Sequence, residues 1–265
     1  LVKYFLGNGN LSAIDVTYQS TGWGSTYDGL PVRYAHAPLL YTTNGDREVT
    51  VTGCADGDCA PDLVIPASLG GNPVRSISAY AFSEARLKSV SIPSTVTTIG
   101  AHAFENNALQ DLSLPSSLAS LGDYAFASNQ LKSVTLPSSL TSLSQGAFSN
   151  NHLTSLSIPN TVTSIAADAF IGNDLTSVTL PNSVQNIDAY AFATNSLTSV
   201  IFEGNAPTIG SNIFFDNSGL VAVDVVLGSE GWGSKFAGIS VRVGKYGPFM
   251  YTTDADNNLT ITGYA

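Results

Sequence analysis

The chain has 265 residues, 43% of them hydrophobic but only 11% charged, and a net charge of −10. An ordinary soluble domain is about 25% charged, so this surface must be built mainly from Ser, Thr, Asn and Gly. An acidic chain without a Lys/Arg cluster repels nucleic acid and anionic membranes, and no run approaches the ~18 apolar residues of a membrane span. Neither nucleic-acid binding nor membrane insertion is expected.

Residues 1–11 read as the tail of a preceding repeat unit. Phe5-Leu-Gly-Asn8, followed by Leu11-x-x-Ile14-x-Val16, has the same form as Phe214-Phe-Asp-Asn217 followed by Leu220-x-x-Val223-x-Val225. Residues 12–60 alternate Val, Ile and Tyr with Thr and contain Asn44-Gly45, a hairpin-turn signal. They predict a β-hairpin cap over the open end of the array that follows, with Trp23 filling its core or, as the alternative, serving as a binding aromatic. Stacked repeats need such caps, because exposed sheet edges invite pairing. The segment closes on Cys54-Ala-Asp-Gly-Asp-Cys59. The two cysteines read as a local disulfide, which implies an oxidising compartment, with free thiols as the alternative. A metal site needs more ligands than two Cys and scattered Asp. Asp56-Gly57-Asp58 resembles a piece of a calcium loop but lacks the later acidic positions and the closing Glu, so it reads as a polar turn. No metal and no cofactor is expected.

Residues 61–220 carry a fixed step. Phe82, Phe104, Phe126, Phe148, Phe170, Phe192 and Phe214 lie 22 residues apart. Three residues after Phe104 and each later Phe comes an Asn: Asn107, Asn129, Asn151, Asn173, Asn195 and Asn217. A Leu follows five residues after most of the rings, and prolines keep the step from Pro93 to Pro181. A period of 20 to 29 residues is the mark of a leucine-rich solenoid, in which stacked units bury a core that no single unit can. In Leu131-x-x-Val134-x-Leu136-Pro137, Val134 and Leu136 alternate with Ser133 and Thr135, the pattern of a strand with one buried face. Pro137 ends the strand. Leu140 and Leu143 point inward on the way back, and Ala147 and Phe148 are expected on a helical turn on the opposite face. Asn151 is expected to satisfy backbone groups at the corner, so that six Asn form a ladder. The first unit is lengthened by Leu69-Gly-Gly-Asn-Pro-Val74, read as a loop on the edge. The pattern loosens after Phe202, where Glu203 takes the Pro position.

The phrase Leu-x-Ser-Val-x-Leu-Pro-x-Ser-Leu-Thr-x-Leu with a following Ala-Phe-x-x-Asn resembles the BspA-like bacterial leucine-rich repeat, over about residues 62–220. The resemblance implies a curved solenoid on a surface or secreted bacterial protein. Several members of that family are described as adhesins.

Residues 221–265 read as a second cap. Gly231-Trp232-Gly233-Ser234 matches Gly22-Trp23-Gly24-Ser25 at a shift of 209, and Leu259-Thr-Ile-Thr-Gly263 matches Val49-Thr-Val-Thr-Gly53 at a shift of 210. A longer repeat of about 210 residues thus overlies the short one. The chain is expected to be a monomeric piece of a longer protein. Tyr264 replaces Cys54, so the second copy cannot form the same disulfide.

The fold class expected is a β-dominated leucine-rich-repeat solenoid, with a parallel sheet on one face, short helical turns on the other and β-hairpin caps. Its reaction chemistry is sparse. His36, His102 and His152 are scattered, and His102 and His152 read as surface positions. Asp123, Asp168 and Asp188 lie in different repeats without forming an acid/base pair, and no hydrolase, zinc or phosphate-loop motif occurs. The chain is not expected to be an enzyme. The surface that the repeats build is the outward strand face. One column runs Ser89, Asp111, Ser133, Ser155, Ser177 and Ser199, and a second runs Ser91, Ser113, Thr135, Ser157, Thr179 and Ile201. Asp111, Ser133, Thr135, Ser155, Ser157, Ser177 and Thr179 are the candidate contact residues. The function expected is extracellular binding or adhesion on a bacterial surface, toward a protein or glycan. The alternative is a structural stalk, because the face lacks the Trp, Tyr and Arg that dominate binding hot spots.

Overall fold

One 22-residue step is one coil. The computed structural model describes residues 39–57 and 59–244, together with the backbone pairing of strands Ile14–Val16, Thr26–Tyr27, Leu30–Tyr34, Phe249–Thr253 and Leu259–Tyr264. Strands pair in parallel with the partner one period away, as in Thr98 with Ser120, Leu112 with Val134, Ser142 with Ser164 and Ser177 with Ser199. Successive coils therefore lie in register, one strand spacing of about 4.8 Å apart.

Each coil contributes to two ladders. The first begins with Val49–Cys54, Asn72–Ile77, Thr98–Ile99 and Ser120–Leu121. It resumes with Ser142–Leu143, Ser164–Ile165, Asn186–Ile187 and Thr208–Ile209. At the break, the Ser144 hydroxyl donates to the Leu121 carbonyl. The second ladder starts with Asp62–Val64 paired to Ser89–Ser91 and, after a break in the strand pairing, resumes with Leu112–Ser113 paired to Val134–Thr135. An isolated bridge at Ser157 links it to Ser177–Leu180, Ser199–Phe202 and Ala222–Val225.

The third side of each coil differs from the expectation of helical turns. The described residues contain no α-helix, only a 3-10 turn at Ala55–Gly57. The reason lies in the backbone. Residues two before and two after each ring adopt positive φ, for example Tyr124 (55°) and Ser128 (55°) around Phe126, and Gly146 (57°) and Asn150 (53°) around Phe148. A left-handed residue at every such position prevents the i to i−4 pattern of a helix. The N–H groups turn along the solenoid axis instead. Tyr124, Phe126 and Ser128 donate to the carbonyls of Gln145, Ala147 and Ser149, at 2.8, 2.9 and 2.9 Å. The turn side is thus a third coil-to-coil ladder.

The interior is a stack of rings. Phe82, Phe104, Phe126, Phe148, Phe170 and Phe192 are almost wholly buried, with centroids of neighbours 5.1–5.9 Å apart. Phe214 ends the stack at 6.1 Å from Phe192. The asparagines lock it to the backbone. Asn151 accepts from the Leu131 N–H at 3.1 Å and donates to the carbonyls of Phe126, Phe148 and Ser149 at 2.9–3.2 Å. Asn107, Asn129, Asn173, Asn195 and Asn217 repeat these bonds.

At the N-terminal end the hairpin Leu39–Thr43 and Val49–Cys54 lends its second strand to the first ladder. The Asn44 side chain closes its turn by accepting from the N–H groups of Asp46 and Glu48. Cys54 and Cys59 are joined in a disulfide. The segment read as an edge loop is itself a tight hairpin, with Ser68–Leu69 antiparallel to Asn72–Pro73 across Gly70 and Gly71. Both glycines have positive φ, as such a two-residue turn requires.

The long repeat is visible as matched registers. Ile14 pairs with Val32 and Asp15 with Arg33, while Val223 pairs with Val241 and Asp224 with Arg242. Hairpin Phe249–Thr253 with Leu259–Tyr264 repeats the pairing and the bulge of Leu39–Thr43 with Val49–Cys54. Trp232 packs 4.8 Å from both Phe202 and Phe236, and its indole N–H donates to the Gly204 carbonyl. Trp23, Asp58 and His36 lie outside the described residues.

Two substitutions test this interior. Phe148→Ala leaves a ring-sized void between two parallel rings and is expected to cost about 3–5 kcal/mol in urea unfolding. Asn151→Ala orphans the buried Leu131 N–H, while the carbonyls of Phe126 and Phe148 keep Asn129 and Asn173 as donors. The expected cost is about 1–3 kcal/mol. Asn151→Asp should cost more than Asn151→Ala, because a carboxylate would face three carbonyl oxygens.

Candidate functional site

Strand pleating sorts the second ladder by side. Val134, Leu136, Val178 and Leu180 are buried, and the residues between them point out. Asp111, Ser133, Thr135, Ser155, Ser157, Ser177 and Thr179 are all exposed. Ser113, Thr135, Ser157 and Thr179 face one another directly across successive coils, and Ser177 faces Ser199. None of the seven candidate side chains takes part in a side-chain hydrogen bond among the described residues. Their hydroxyls and the Asp111 carboxylate are therefore open to an external partner. This is not general for hydroxyls here. Those of Thr97, Thr163 and Thr198 are engaged with the carbonyls of the preceding coil, at 3.1–3.3 Å.

The column has a defined end. At Ile201 the second row becomes half-buried, and one coil further its position is Asp224, with no solvent exposure. The Arg242 guanidinium meets both Asp224 carboxylate oxygens at 2.8 Å. Sequence reading missed this pair, although the shift of 209 also aligns Asp15 with Asp224 and Arg33 with Arg242.

Two further surfaces were not anticipated. The first ladder presents its own polar column of Ser120, Ser142, Ser164, Asn186 and Thr208, on the segment where the sequence pattern marks only the inward Leu140 and Leu143. On the turn side, Tyr80, His102 and Tyr124 form a second aromatic stack, with centroids 4.6 and 5.2 Å apart. The sequence alone places His102 at the surface. It is instead half-buried between two rings and 2.8 Å from Glu105. The stack stops at Gly146, where a Cβ would collide with the Tyr124 ring. The signal was available, since these residues stand two positions before each core Phe. His152 is exposed and 3.1 Å from Asp174.

The seven candidates offer hydrogen bonding in rows. Among the described residues no histidine is hydrogen-bonded to any of their hydroxyls, so none there is set to activate one as a nucleophile. Among the described residues no three His, Cys, Asp or Glu side chains converge as a metal site requires, and no helix is long and apolar enough to cross a membrane.

A family model described as BspA type Leucine rich repeat region matches residues 64–174 and 144–230, in six copies. The chain belongs to this family. Three solved structures are similar to this BspA-type repeat protein. A Treponema pallidum leucine rich repeat protein is 28% identical, with a TM-score of 0.56, over 69% of this chain and 87% of that one. A leucine rich cell surface protein from Faecalibacterium prausnitzii is 25% identical, with a TM-score of 0.49, over 84% of this chain and 59% of that one. A leucine-rich repeat protein from Bacteroides ovatus is 19% identical, with a TM-score of 0.42, over 78% of this chain and 74% of that one. No curated protein matches. BspA-type solenoids are typically protein-binding folds without catalysis.

The ion pair that closes the column yields a stability test. Arg242→Met strands a buried carboxylate and is expected to cost about 3 kcal/mol. Combining it with Asp224→Val should recover most of that loss, since apolar isosteres of a buried pair are often neutral. Thermal unfolding of the two variants beside the unaltered protein distinguishes the outcomes.

Proposed function

We propose that this BspA-type repeat protein is a non-enzymatic, extracellular binding and adhesion module of a bacterial surface protein, which offers the outer face of its second ladder to a protein or glycan partner. The observation that carries the reading is the set of unengaged side chains from Asp111 to Thr179, all exposed and in register from coil to coil. A row of hydroxyls at strand spacing can donate to and accept from peptide or sugar groups without desolvating a charge. The Cys54–Cys59 disulfide fits an oxidising compartment. Residues 12–60 and 221–265 then serve as the cap segments on either side of the solenoid of residues 61–220. Weak single contacts would gain strength when several such surfaces are displayed together.

A second reading rests on one specific observation: neither column contains Trp, Tyr or Arg, the residues that supply most binding energy. In that reading the solenoid is a stalk, and binding resides elsewhere in a longer protein.

Surface binding to immobilised matrix proteins and a glycan array, with the protein clustered on beads, separates the two. Adhesion through this face predicts that Thr135→Arg with Ser157→Arg loses at least about tenfold in affinity, roughly 1.4 kcal/mol. Unfolding should shift by no more than about 0.5 kcal/mol, as for other surface changes. Uniform absence of binding supports the stalk.

A further inference from the structure

The turn-side ladder has a donor end, and among the described residues it is open. In every interior coil the N–H groups of the core Phe and of the residues two before and two after it bond forward. Tyr190, Phe192 and Thr194 donate to the carbonyls of Ser211, Ile213 and Phe215, at 3.1, 3.0 and 2.7 Å. The next three donors in that series are Asn212, Phe214 and Asp216. Their N–H groups have no acceptor among the described residues.

The cause is a shortened coil. Strand Ile239–Val243 pairs with Ala222–Val225 so that Val223 meets Val241, 18 residues on rather than 22. Its chain contains no Ala-Phe-x-x-Asn. The place of the missing turn is a cavity of about 380 Å³, lined by Asn212, Phe214, Asp216, Leu220, Ala237 and Ile239. Among the described residues Phe214 has a ring neighbour in the stack on one side only, Phe192. The Phe192 carbonyl accepts from both Asn195 and the following Asn217, whereas among the described residues the Phe214 carbonyl accepts from Asn217 alone.

The earlier coils specify what fits here. They place an aromatic ring on the previous ring, carbonyls at alternate residues against the three N–H groups, and a carboxamide three residues after the ring. We propose that this shoulder is a docking groove for a segment of a partner protein with that chemistry, an aromatic-x-x-Asn turn that adds one coil to the solenoid. Asp216 on the wall, in a chain of net charge −10, selects against an acidic segment. Tyr190 and the 60% exposed Phe215, which meet edge to face at 6.4 Å, form an apolar rim. The continuity of the groove with the coil-to-coil interface is what singles out a peptide. A sugar stacks on a ring face as well, but it carries no row of carbonyls at alternate-residue spacing to meet the three N–H groups. The proposal stands independently of the strand-face reading.

The test uses the whole chain and an uncharged, acetylated and amidated octapeptide copied from Ser144–Asn151. This segment has Gly146 and Asn150 at its two left-handed positions, where Gly and Asn adopt the turn at least cost. NMR-detected exchange of the Asn212, Phe214 and Asp216 amides is followed with and without peptide. In the free protein these three should exchange at least about tenfold faster than Tyr190, Phe192 and Thr194, which are bonded. Saturating peptide should slow all three. Replacing the peptide's Phe by Ser should weaken binding at least about tenfold, the scale of losing an anchor ring. Ala237→Trp, at an exposed position facing the groove, should block binding while leaving the unfolding curve unchanged. Three outcomes overturn the proposal: protection of the three amides in the free monomer, self-association by ultracentrifugation that accounts for their protection, or no response to millimolar peptide.

Discussion

A solenoid coil has no closure of its own; here the buried carboxamide supplies it. Each Asn of the ladder holds the preceding coil's Phe carbonyl, its own coil's Phe carbonyl and the preceding coil's Leu N–H at once. Those groups are forced out of any sheet or helix by the corner, and they are buried. Left unpaired, they would oppose burial of the rings beside them. The Phe stack and the Asn ladder are therefore interdependent: the rings exclude water, and the carboxamides make that exclusion tolerable.

Much of this was legible. Phased Phe, Leu and Asn gave the solenoid, its 22-residue coil, the inward residues and the outward columns, because burial imposes one identity on equivalent positions. The turn side was less legible for the same reason in reverse. Its left-handed residues two before each ring are Tyr80, His102, Tyr124, Gly146, Asp168, Tyr190 and Asn212, and those two after run from Glu84 to Asp216; neither series keeps one residue type. Left-handed backbone usually announces itself by Gly or Asn, and here the forward hydrogen bonds impose it on whatever residue is present. A helical turn was expected because Ala-Phe gives no local sign of that constraint.

The surface divides in a similar way. The columns from Asp111 to Thr179 follow from pleating alone. Which hydroxyls are free does not: Thr163 is tied to the Thr141 carbonyl, whereas Thr179 has no such bond. That distinction depends on the position of the preceding carbonyl, information that lies one coil away. Asp224 and Arg242 were hidden differently. Each is unremarkable as a single charge, and only the paired strands bring the two together.

The forward direction of the turn-side bonds has an electrical consequence. From Tyr80 donating to Ala101 through to Tyr190 donating to Ser211, every such N–H points the same way along the axis. Peptide dipoles that alternate and cancel in ordinary strands here add head to tail, much as they do in an α-helix. One flank of an acidic rod thus ends in fractional positive charge at its C-terminal shoulder, placed there by the backbone without a Lys or Arg.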